Sequence, residues 1–144
     1  YNDLSQDREK DIIFDWDKII NLKGNSGPYV QYAHARIQSV LDKAGNFDLA
    51  ELPDKIEDNE TKLIARIFWF GEVVKESADN FTPHTLCNYI FNLAQDFSNF
   101  YNLNPILSAD NDGIKNFRLA ICKTTGGIIK TSLNLLGIDA PERM

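Results

Sequence analysis

Apolar residues return every three or four positions in each long segment of this chain, and nowhere do they alternate with polar ones over the length of a strand. A spacing near 3.6 buries one stripe of a helix, whereas a half-buried strand needs a period of two. The pattern predicts an all-α fold. Ile12, Ile13, Trp16, Ile19 and Ile20 mark an amphipathic helix over 11–22, with Trp16 as a core anchor. A second helix is expected over 28–44, a third over 61–78, a fourth from Pro83 to about Asn102 and a fifth from Ile114 to Leu136. The third is rich in Phe and Trp, so it is expected at the centre of the bundle. About five helices, antiparallel or obliquely packed, follow.

The punctuation agrees with this. Asn25 or Ser26 can cap the second helix, Pro28 suits its first turn and Gly45 its end. Thr82-Pro83 reads as a second such start, with Thr82 as cap, and Asn104-Pro105 as a stop. The polar loop 108–113 lacks a calcium-loop pattern and suits a helix cap or a solvated turn. Gly126-Gly127 sits inside the last helix, where either close packing or a kink would explain it. Residues 1–10 are polar and charged and read as a linker remnant with weak order, so the domain proper is expected over 11–144.

Composition narrows the class. The 144 residues suit one domain. No apolar run is long enough for a membrane span and no signal-peptide pattern opens the chain. The chain starts at Tyr1 and its only methionine is Met144, so it reads as a C-terminal fragment. Cys87 and Cys122 lie outside any paired metal-binding spacing and are expected as buried, reduced thiols. His34 and His84 have no ligand neighbour at metal spacing, so no metal site is expected. The net charge of −6 counts against indiscriminate nucleic-acid binding. That charge is uneven: residues 46–60 hold six acids and one base, while 113–144 hold five bases and two acids.

One edge of the second helix stands out. Tyr29, Tyr32 and Arg36 occur at i, i+3 and i+7: Tyr29 closes the edge of an apolar arc with Val30, Ala33, Ile37, Val40, Leu41 and Ala44, and Tyr32 and Arg36 fall just past that edge. Two aromatic faces and a guanidinium in a row suit unstacked bases and phosphate. The same spacing also suits rim tyrosines that pack their rings and wet their hydroxyls beside a solvated Arg. Tyr101, at the end of its own helix, carries the same two readings.

The words around this edge are specific. Gly24-Asn25-Ser26-Gly27-Pro28-Tyr29-Val30-Gln31-Tyr32-Ala33-His34-Ala35-Arg36 closely resembles the segment that opens the C-terminal helical domain of class I arginyl-tRNA synthetases. The likeness extends to Phe14-Asp15-Trp16-Asp17, to Cys87-Asn88-Tyr89-Ile90-Phe91-Asn92-Leu93-Ala94 and to Gly137-Ile138-Asp139-Ala140-Pro141-Glu142-Arg143-Met144. The resemblance implies a DALR-type anticodon-binding domain that binds tRNA-Arg, with Tyr29, Tyr32, Arg36, Tyr101 and Met144 around the anticodon loop. It implies that the terminal Met lies beside the opening helix, whereas a tail after Gly137 and Pro141 ordinarily frays.

The parent so implied is an arginine–tRNA ligase of the cytoplasm using ATP and Mg. The signatures that handle ATP in such enzymes, of His-Ile-Gly-His and Lys-Met-Ser-Lys-Ser type, are absent from these residues. The fragment is therefore expected to bind without catalysing, with no catalytic residue, no cofactor of its own, no DNA or membrane partner, and as a monomer. The alternative is a helical protein-interaction or tRNA-binding module that kept the fold without synthetase activity.

Overall fold

A computed structural model describes residues 1–9, 24–48 and 52–144. Among these residues every element is helical. A 3-10 turn (Asp3–Ser5) precedes five α-helices: α1 (Gly27–Ala44), α2 (Asp58–Phe68), α3 (Phe70–Asp79), α4 (Pro83–Leu103) and α5 (Asp112–Leu135). The helix expected over 11–22, with Trp16, lies outside the described residues.

The helix ends follow local chemistry. Ser26 is extended (φ −135°) and its hydroxyl accepts from the Tyr29 N–H, the first-turn bond that Ala could not supply. Gly45, at φ +68°, closes α1 with its N–H on the Leu41 carbonyl. Asn111 caps α5 through the Ile114 N–H at 2.9 Å. Thr82 does not act as the cap expected of it. Its hydroxyl meets that of Thr85 at 3.2 Å, and no side-chain cap bond is present at α4. Residues before Pro are pushed out of the helical region, and Phe81 just upstream sits in the left-handed one at φ +55°.

The helix expected over 61–78 is two helices. Trp69 sits between α2 and α3, and its N–H turns back to the Arg66 carbonyl at 3.2 Å, tightening that turn. The Tyr89 hydroxyl donates to the same carbonyl at 2.9 Å, which holds the break in place. The aromatics at this break do not centre the bundle: Phe68 is 82% and Trp69 63% exposed. The central position belongs to α4, which packs on each of the other four helices. Its Ile90, Leu93, Phe97 and Phe100 are fully buried beside Val30, Ile37, Leu63, Leu119, Ile129 and Leu133. Each such side chain contributes roughly 1.5–3 kcal/mol by leaving water.

Ion pairs hold two buried carboxylates. Arg118 Nε donates to Glu60 Oε1 at 2.7 Å with both groups largely buried, and Glu60 Oε2 accepts the Glu57 N–H at the head of α2. Asp96 on α4 is met by Lys62 at 2.8 Å and by Arg66 from α2.

α1 packs most extensively on α5, and Gly126 is the reason they come so close. A Cβ there would stand 2.8 Å from Ile37 Cγ2, whereas one on Gly127 would meet nothing. Close packing, and not a break in the helix, accounts for the first glycine, because α5 runs unbroken through both. At the other end of α1, Asn25 Nδ2 donates to Asn88 Oδ1 at 3.1 Å, and the Tyr1 hydroxyl lies within reach of Asn25 Oδ1 and the Cys87 carbonyl. Residues 1–9 thus include a stretch docked against α4.

Candidate nucleic-acid interface

The outer edge of α1, the C-terminal turn of α4 and the last residues of the chain enclose an open cleft of about 580 Å³. Its walls include Tyr32, Ala35, Arg36, Ser39, Tyr101, Leu107 and Met144. Four of the five residues singled out by resemblance therefore meet in one place, although they come from three parts of the chain.

Arg36 organises the aromatic side. Its guanidinium carbon lies 4.6 Å from the Tyr32 ring centroid and 5.1 Å from that of Tyr101. These are cation–π distances. Its Nη2 also donates to the Tyr32 hydroxyl at 2.7 Å. Tyr32 is 43% exposed and Tyr101 37% exposed, so both rings keep surface open to a partner. Tyr101 is steadied from beneath by Phe97, 6.1 Å away between centroids.

Tyr29 stands apart from the cleft. Its ring meets Phe91 edge-on at 5.5 Å and its hydroxyl lies 3.4 Å from Ser98 Oγ, so packing against α4 occupies most of it. The i, i+3 spacing put it on the same edge as Tyr32, but α4 covers that end of the edge.

The tail reaches the cleft by a defined route. Gly137, at φ +72°, reverses the chain after α5, and the Ile138 N–H returns to the Leu133 carbonyl at 2.9 Å. Ile138 and Ala140 pack on the core. The Asp139 carbonyl accepts from Gln31 Nε2 at 2.8 Å, and the Pro141 carbonyl lies 2.9 Å from His34 Nδ1. Met144 remains 65% exposed at the rim. Gln31 and His34 were not singled out from the sequence. Their i, i+3 spacing was legible, but their partners are backbone carbonyls more than a hundred residues away.

The charge around the cleft is mixed, with Arg36, Lys43 and Arg143 against Asp42 and Glu142. Such a surface suits a partner read by contact more than one gathered by a broad basic field. The cysteines are buried and unpaired, and removal from water pushes the Cys87 thiol up to about 11 and the Cys122 thiol up to about 12, so neither is a nucleophile near neutral pH. Among the described residues no His, Cys, Asp and Glu group is placed to hold a metal ion, and no helix is long and apolar enough to cross a membrane.

Comparison with known proteins bears on the same region. The family profile described as the DALR anticodon binding domain matches residues 30–144. The chain is 45% identical over 148 aligned residues to an arginine–tRNA ligase of Salmonella typhimurium, and 44% identical over 146 to one of Vibrio campbellii. All of this chain is covered in both, but only 26% and 25% of those relatives, so it spans about a quarter of their length. Among solved structures, the Thermus thermophilus arginyl-tRNA synthetase superposes with a TM-score of 0.88 at 36% identity, over 97% of this chain and 25% of that one.

Proposed function

The chain belongs to the DALR anticodon binding domain family, and from that premise we propose that it grips the anticodon loop of tRNA-Arg in the cleft between α1, α4 and the tail. Its role in that reading is to present the tRNA to an arginine–tRNA ligase active site, supplied with ATP and Mg, elsewhere in a longer cytoplasmic protein. The observation that carries the reading is the convergence of Tyr32, Arg36, Tyr101 and Met144 on one accessible cleft. Unstacked anticodon bases offer flat faces that exposed tyrosines can stack on, and Arg36 can meet a base edge or a phosphate. Tyr29 extends this surface by one turn towards the start of α1, giving a weaker flank because α4 already covers its ring.

The test is a filter-binding titration of the chain with tRNA-Arg and with a tRNA of another anticodon, at two salt concentrations. Tighter binding of tRNA-Arg at both salts supports anticodon readout. Equal affinities that collapse together with salt would mean phosphate attraction alone, and the reading would fail.

A further inference from the structure

We infer that His34 and Gln31 are positioning residues: they fasten the C-terminal tail along α1 so that Met144 is held at the cleft. This rests on the anticodon reading only for its consequence in RNA binding. The geometry itself is independent of that reading.

His34 is fully buried, yet it lies on the helix that carries the cleft. Its Nδ1 faces the Pro141 carbonyl, which can only accept, so Nδ1 must carry the hydrogen. Its Nε2 lies 3.3 Å from Gln38 Nε2, whose amide can donate to it. Both ring nitrogens are thereby engaged, and the tautomer is set by the tail. One turn earlier, Gln31 donates to the Asp139 carbonyl at 2.8 Å. The two clamps are three residues apart on α1 and two apart on the tail, so the tail runs in the same direction as the helix. Continuing that course brings Glu142, Arg143 and Met144 to the cleft wall, beside Ala35, Arg36 and Ser39. The ion pair between Lys130 and Glu142 is exposed at 3.8 Å and adds little. Short terminal segments fray unless tied down; Ile138 and Ala140 pack on the core, and these two side chains are the polar ties along α1.

Met144 is the chain's only native methionine, so a carbon-13 methyl label on it reports tail position directly. In the 144-residue chain its methyl resonance should be displaced from that of free methionine by the neighbouring Tyr rings. His34→Leu should move the signal to the free-chain position and narrow it. His34→Asn, whose amide can donate where Nδ1–H does, should restore the displaced signal. Gln31→Leu, at a partly exposed site, should give a partial release without risk to folding. Affinity for an anticodon stem-loop of tRNA-Arg should fall about tenfold in His34→Leu and recover in His34→Asn, the size of one lost base contact. A displaced Met144 signal that persists in folded His34→Leu overturns the inference. If that variant does not fold, an unchanged signal in Gln31→Leu overturns it. Release of the tail with no change in stem-loop affinity, while Tyr32→Ala weakens binding, would overturn the positioning role. Failure of the anticodon reading looks different: the wild-type chain would not bind the stem-loop, while the methyl signals would still respond to both clamps.

Discussion

Gly126 and Gly127 are adjacent, helical and chemically identical, yet Ala should stabilise at one and not at the other. In a helix interior Ala is favoured over Gly by about 1 kcal/mol because it has less backbone freedom to lose. Gly127 is exposed and its new Cβ meets nothing, so Gly127→Ala should stabilise by roughly that amount. At Gly126 the same gain is opposed by a Cβ placed 2.8 Å from Ile37 Cγ2, on a side chain that is fully buried. Overpacking of this kind costs about 1–3 kcal/mol. Gly126→Ala should therefore range from neutral to destabilising by about 2 kcal/mol. Because the propensity gain is common to both, the difference between the two variants isolates the steric term, about 1–3 kcal/mol. Urea unfolding of both variants reads it, and for a domain of this size each kcal/mol moves Tm by roughly 3 °C. In an Ile37→Ala background the opposing contact is gone, and Gly126→Ala should become as favourable as Gly127→Ala. Stabilities of the two single variants agreeing within about 0.5 kcal/mol would refute the close approach of α1 to α5 as the reason for the glycine.

Tyr32→Ala and Arg36→Ala should each weaken tRNA-Arg binding by about 1–3 kcal/mol and barely shift the melting temperature. Tyr29→Ala should instead lower Tm while weakening binding less, since its ring is committed to Phe91. Tail truncation after Glu142 should impair tRNA-Arg binding with little effect on Tm, and unchanged affinity would remove Met144 from the interface. Arg118→Met leaves the Glu60 carboxylate buried without its cation, so it should destabilise by about 3–5 kcal/mol in chemical denaturation. Alkaline pH should unfold the chain. Burial raises Cys87 to about 11, Cys122 to about 12 and Tyr89 to about 12, so between roughly pH 9 and 12 the unfolded chain has released protons that the native one retains. Stability should decline through that window, and Cys122→Ala should lessen the slope.

Sequence alone determined the fold class, because a 3.6-residue apolar period admits helices and excludes half-buried strands. It also determined most helix ends, where Ser26, Gly45, Asn111 and Gly137 act through bonds within a few residues of themselves. The likeness of 24–36 and 137–144 to one family was legible for the same reason, since a motif is local text. Three features were decided only by packing. Trp69 breaks a continuous helical pattern because Tyr89, on another helix, takes the Arg66 carbonyl. α4 became the central helix instead of the aromatic-rich segment because partners, and not apolar content, determine which face is covered. The cleft, too, exists only in three dimensions: Tyr32 and Arg36 share one helix edge, but Tyr101 and Met144 reach them through helix packing and through a buried histidine holding a distant backbone carbonyl. Periodicity assigns a residue to a face of its own element, and only the docking of elements determines what that face meets.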